Sequence, residues 1–116
     1  MLHNAHAVVR FTREGWHHWP HAPEERKYLA SSHRHLFYVE VEIEVKHSDR
    51  EIEFHDFLAF CKARFPTGDF GAASCEMLAQ ALGDAVHYQW PGRALTVSVF
   101  EDNEVGAKVV FNRVPN

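Results

Sequence analysis

The sequence predicts an α+β domain, a four-stranded antiparallel sheet with two helices packed on one face. Three observations predict it. Strict alternation runs from His35 to Val45. The apolar spacing changes to threes and fours between Phe57 and Phe65, and again between Met77 and Val86. Alternation then returns in two short runs towards the C-terminal end. Strands joined by short turns favour antiparallel pairing, and helices lying between strand pairs must bury their apolar stripes on a sheet face.

Residues 5–16 alternate weakly, with Ala5, Ala7, Val9 and Phe11 set against His6, Val8, Arg10 and Thr12. A polar, proline-punctuated segment from Trp19 to Ser32 reads as a loop. The second strand is the clearest element. His35, Phe37, Val39, Val41, Ile43 and Val45 form one row, and Leu36, Tyr38, Glu40, Glu42 and Glu44 form a wet one. The polar run Lys46-His-Ser-Asp-Arg50 ends it. Phe57, Phe60, Cys61 and Arg64-Phe65 then mark a short helix that Pro66 stops. Thr67 to Ala73 reads as loop. Ser74 is a suitable N-cap for a second helix, with Glu76 in its first turn and Met77, Leu78, Leu82 and Ala85-Val86 inward. Pro91-Gly92 breaks the chain. Ala94–Glu101 and Gly106–Asn112 follow as a hairpin turned at Asp102-Asn103. The sheet face away from the helices keeps apolar side chains, which predicts association with other subunits.

A chain of 116 residues holds a single domain, residues 1–116. With 46% hydrophobic and 24% charged residues it is too apolar for disorder, and its charges interrupt any stretch of membrane-spanning length. The formal charge of −4 argues against nucleic-acid binding, which depends on neutralising phosphates. The N-terminal residues lack the basic and apolar parts of a secretory signal. Cys61 and Cys75 lack disulfide-scaffold spacing, so reduced thiols and a cytoplasmic location are expected.

Ten scattered histidines are the compositional oddity. His33 and His35, two apart on a strand, project from one face and can present two imidazole nitrogens to one metal ion. A catalytic zinc takes three protein ligands and keeps one open position, and His17, His18 and His21 are candidates for the third. The alternative is a pair of solvated or hydrogen-bonded histidines. Glu101 ends the Leu95, Val97, Val99 row. It either turns into solvent or accepts a paired N–H edge, such as that of a pterin or guanine ring.

Five segments in order resemble the 6-pyruvoyltetrahydropterin synthase and 6-carboxytetrahydropterin synthase family, which has the T-fold. Phe11-Thr-Arg-Glu-Gly-Trp-His17 with Pro20-His-Ala-Pro-Glu24 is similar to the family's first strand, which ends in a zinc-binding histidine. Ser32-His-Arg-His35 is similar to its His-Gly-His motif. Ile52-Glu-Phe-His-Asp-Phe57 resembles the start of its first helix, and Ala73-Ser-Cys-Glu76 the start of its second. Val97-Ser-Val-Phe-Glu101-Asp resembles the strand whose glutamate anchors the pterin. The likeness spans roughly residues 8–111. It implies Zn2+ on His17, His33 and His35, Glu101 as the ring anchor, and a dihydropterin-type ligand such as 7,8-dihydroneopterin triphosphate. It also implies a carbon–oxygen lyase activity and a homo-oligomer built from trimers, up to a hexamer.

The departures concern proton transfer. The family's cysteine base falls here on Tyr28 or Leu29. Its Asp–His relay is replaced by Arg64-Phe-Pro-Thr-Gly-Asp-Phe70, which retains only Asp69. Tyr28 and Asp69 are therefore the candidate catalytic groups. Tyr28 needs a pKa well below its ordinary value of about 10 to serve. The glycine between the two histidines is Arg34, whose side chain should point to the opposite face. Three readings remain: an enzyme of this family with altered bases, a catalytically silent pterin- or purine-binding homologue, and an oligomeric interaction protein with incidental histidines.

Overall fold

The computed structural model describes residues 4–114; Met1-Leu-His, the front of the segment weighed above as a leader, lies outside it. The order is β1 (Ala5–His17), β2 (His33–Val45), α1 (Phe54–Arg64), β3 (Gly68–Asp69), α2 (Cys75–Gln89), β4 (Leu95–Glu101) and β5 (Val105–Phe111). A short 3-10 stretch, Glu24–Ala30, interrupted by non-helical Arg26, lies within the segment expected to be loop. The fold is α+β.

The sheet is five-stranded and mixed, in the order β3-β1-β2-β4-β5, where the sequence predicts four antiparallel strands. β1, β2, β4 and β5 do pair antiparallel in turn. The addition is β3, which runs parallel along the edge of β1 at Gly15 and Trp16. Its two residues carry no periodicity, and glycines in left-handed conformations flank it, Gly68 at φ 76° and Gly71 at φ 63°. It exists because the edge of β1 has free backbone groups: Phe70 N–H donates to Trp16 O at 2.7 Å, and His18 N–H donates to Gly71 O at 2.9 Å.

The helices start where side chains satisfy their free N–H groups. Glu53 caps α1, accepting from the His55 and Asp56 amides, and Ser74 caps α2, accepting from Met77 N–H. Phe57 and Cys61 from α1 and Leu78, Ala79, Leu82 and Val86 from α2 are buried against the Phe37–Ile43 row of β2 and its partners on β1 and β4. Each large apolar side chain sealed this way contributes roughly 1.5–3 kcal/mol. Arg13 fastens α1 to β1, its guanidinium donating to the carbonyls of Lys62, Phe65 and Pro66 at 2.9–3.1 Å.

Gly15 is a packing requirement. A Cβ there would lie 2.2 Å from the Phe70 ring, which packs 5.0 Å from the Phe37 ring and 5.8 Å from the Phe65 ring. Held on both sides, Phe70 has little room to give. Gly15→Ala should therefore lower unfolding stability by about 1–3 kcal/mol in chemical denaturation. An unchanged midpoint would show Phe70 free to relocate.

A second structural pair lies at the other end of the sheet. Glu51 accepts two hydrogen bonds from Arg93, at 2.7 and 2.8 Å, and one from Lys46 N–H. The Arg93 hydrogen bonds above all, with the Lys46 amide and the two positive charges adding, hold the Glu51 carboxyl down to about 2. Its folded value lies below the unfolded one, so its stabilisation is fully present above about pH 4.5 and is lost as pH falls towards 2. Thermal midpoints measured from pH 5 to 2 should fall more steeply for the native chain than for Arg93→Met.

Candidate metal centre

The core-facing row of β1 is Ala7, Val9, Phe11, Arg13, Gly15 and His17, and that of β2 runs from His33 and His35 into Phe37. Antiparallel pairing sets His17 directly opposite His33 and Phe37 opposite Glu101. The end of β1, the start of β2 and the end of β4 therefore meet at one corner of the sheet, where each apolar row runs out into a polar side chain. The N-terminus of α2 closes that corner. His17 is buried, at 7% exposure, while His33 and His35 are half-buried.

The three imidazoles stand edge-on to one another, with ring centres 4.6–5.2 Å apart and interplanar angles of 68–84°. Phe37 supports His17 and His35 from below at 5.3 and 5.7 Å. Each Nδ1 is tied to an acceptor. His17 bonds Ala73 O at 2.8 Å, His33 bonds Ser31 O at 2.9 Å, and His35 bonds Asp102 Oδ2 at 2.7 Å. A carbonyl oxygen can only accept, so Nδ1 carries the proton in His17 and His33, and the Asp102 carboxylate selects the same tautomer in His35. All three Nε2 atoms are left for another partner. Ligand nitrogens from the three rings lie within 4.8 Å of one another. A set of neutral imidazoles with oriented, hydrogen-bonded backs suits a divalent transition metal.

Asp102 was read from sequence only as a turn residue, and it does more. With Asn103 it adopts positive φ (53° and 59°), as hairpin turns matched to strand twist require. That backbone breaks the alternation, so Glu101 and Asp102, though adjacent, both face His35. Asp102 Oδ1 also accepts the Leu36 amide at 3.0 Å. The His35 hydrogen bond first, then the Leu36 amide, holds the Asp102 carboxyl below its ordinary range, so it is an anion behind the imidazole.

Glu101 lies against the histidines, with Oε2 3.1 Å from His17 Nε2 and Oε1 3.6 Å from His35 Nε2. The second separation is too long for a hydrogen bond, and His35 Nε2 is a buried atom with no hydrogen-bond partner. The Cys75 thiol, expected from the sequence to be reduced but not placed at the site, faces Glu101 Oε2 at 3.8 Å. Burial first, then the charges of Glu101 and Glu76, pushes it up to about 12. It is a thiol, not a thiolate.

Beside these residues opens a groove of about 720 Å³, lined by Trp19, Met77, Cys75 and Val105 together with His17, His33 and Glu101. His18 and His21, the alternatives to His17, also line it but lie outside the three-histidine group. A concavity of similar size beside Arg13 has that guanidinium spent on backbone carbonyls. Neither candidate proton-transfer residue lines the groove. Tyr28 is 68% exposed on the 3-10 stretch, and Asp69 is exposed in β3, where its carboxylate accepts the Gly71 amide. Arg34 points to the opposite face, as expected, and pairs with Glu14 at 2.6 Å.

In comparisons with protein families and curated proteins, no family and no curated protein matches the sequence. The functional argument therefore rests on the site. Asp102→Asn keeps the shape and loses the anion behind His35. It should weaken metal binding about 10–100-fold, measured by competition with a chromogenic chelator. Equal affinity would remove Asp102 from the site.

Proposed function

We propose that this protein binds Zn2+ through His17, His33 and His35 and acts on, or holds, a dihydropterin-type ligand in the adjoining groove, as the 6-pyruvoyl- and 6-carboxytetrahydropterin synthases do. The observation that carries the reading is the grouping of three imidazoles whose ligand nitrogens lie within 4.8 Å of one another, each ring fixed through its Nδ1. Zinc is favoured among metals because an all-imidazole set with an open position is typical of its catalytic sites. The T-fold assignment is part of the proposal. It treats β1, β2, β4 and β5 with α1 and α2 as the repeating unit and β3 as an addition. The trimer-based homo-oligomer belongs to the same reading.

When bound, zinc supplies a Lewis acid that polarises a hydroxyl or carbonyl oxygen. The chain's own residues do the rest. Asp102, Ala73 O and Ser31 O hold the imidazoles in their ligating tautomer. Glu101 offers two oxygens to a paired N–H edge, and the walls from Trp19 to Met77 give a flat ring apolar surface. Among the described residues, neither proton-transfer candidate from the sequence lines the groove, since Tyr28 and Asp69 lie elsewhere, and the Cys75 thiol is held up at about 12.

That deficit favours a second reading, a pterin- or purine-binding homologue with little or no synthase activity. Metal content and turnover distinguish the readings. Protein purified without chelator should carry about one zinc per chain, and His33→Ala should lose it; metal-free native protein would sink both. Turnover of 7,8-dihydroneopterin triphosphate should be slow or absent, because each lost proton-transfer group typically costs about 10²–10⁴ in rate. Brisk lyase activity would show that a base has been misplaced.

A further inference from the structure

We infer that Glu101 is itself a metal ligand in the absence of substrate, completing a shell of three imidazoles and one carboxylate. The inference rests on the three-histidine reading and goes beyond its role for Glu101, which was the anchoring of a ring.

Donor atoms sharing one tetrahedral ion at about 2.0–2.1 Å lie roughly 3.3 Å apart. The two oxygens of Glu101 stand 3.1 Å from His17 Nε2 and 3.6 Å from His35 Nε2, on either side of that spacing; Glu101 lies outside the group of donors within 4.8 Å of one another, so its carboxylate moves inward to join the shell. The longer separation makes no hydrogen bond, and it leaves His35 Nε2 buried and unpaired beside a carboxylate, an arrangement a cation between them would resolve. Among the described residues, the only basic nitrogens within 4.0 Å of Glu101 belong to these two imidazoles. The other neighbour within reach, the Cys75 thiol, can only donate weakly.

The backbone supports the same assignment. Glu101 continues the inward row Leu95, Val97, Val99, which carries it towards the corner where the histidines stand. The positive φ of Asp102 turns the next carboxylate onto the far nitrogen of His35. Two consecutive carboxylates thus flank one imidazole, Asp102 bonded at Nδ1 and Glu101 3.6 Å from Nε2. A ligand that brings its own oxygen to the metal must displace Glu101, and only then are the carboxylate oxygens free for N–H donors.

Zinc affinity and the visible spectrum of the Co(II)-loaded protein test this, using Glu101→Gln, Glu101→Ala and Asp102→Asn in the full chain. Glu101→Gln and Glu101→Ala should bind zinc more than ~10-fold more weakly, beyond the lower end of what loss of an outer partner costs. Their Co(II) bands should shift, because a donor atom has changed. Asp102→Asn should weaken binding but keep the native band pattern. Circular dichroism and thermal midpoints of the metal-free proteins separate loss of a ligand from loss of fold, and the near-isosteric Gln variant guards against the latter. If native protein binds metal and Glu101→Gln and Glu101→Ala match it in affinity and spectrum, this inference falls and the three-histidine site stands. If native protein takes up no metal, both fall.

Discussion

The register of β1 against β2 is the constraint on which everything at the site depends. It places His17 opposite His33, Gly15 opposite His35 and Phe11 opposite Val39. A shift of one residue would carry every inward side chain of one strand to the outer face, and the histidines with them. The apolar rows hold the register. Phe37, Val39, Val41 and Ile43 are all but fully buried, and each would forfeit roughly 1.5–3 kcal/mol if exposed. The Arg10–Glu40 pair on the outer face agrees with the same register, but an exposed ion pair of this kind contributes only about 0–1 kcal/mol. Hydrophobic burial at the middle of the sheet positions the three histidines at its end.

That dependence has a cost, which the local hydrogen bonds offset. The inward row of β1 is apolar from Ala7 to Phe11, passes Arg13 and Gly15 and ends in an imidazole, and His17 at 7% exposure would be expensive to bury without a partner. The carbonyl of Ala73 meets it, from the residue just before the Ser74 cap of α2, so the start of a helix and the tautomer of a histidine are settled by neighbouring peptide units. Gly15 takes part by omission. Its missing side chain lets Phe70 slide beneath Phe37, and Phe37 in turn carries the rings of His17 and His35.

Much of this was legible in the sequence because it is periodic. The alternation in β2 gave both its faces, and Ser74 and the Asp102-Asn103 turn announced their roles by residue type. The identity of the third histidine was not periodic on its face, since His17, His18 and His21 are all near the end of β1. Parity decides it. His17 shares the inward row of Ala7, Val9 and Phe11, whereas the chain has already turned towards Gly71 by His18. What could not be read was tertiary. β3 is two residues long and is defined by the edge it docks on. Asp102 reaches His35 across 67 positions through a left-handed backbone that no pattern of apolar residues signals.

The grouped histidines and the two proton-transfer candidates differ in what holds them in place. The histidines and their hydrogen-bond partners sit at the ends of paired strands and at one helix start, so they are held by the same contacts that hold the fold. Tyr28 and Asp69 sit on a 3-10 stretch and a two-residue edge strand, elements with little buried surface of their own. A group on such an element can be lost or moved without disturbing the core, while a change at His17 or Gly15 disturbs both the site and the packing beneath it. The adjacent carboxylates Glu101 and Asp102 fall on the interlocked side of that division by geometry alone: one ends a core row between His17 and His35, and the other is bent back by its own φ onto His35. Whatever chemistry the groove supports, its charge is organised around that imidazole first.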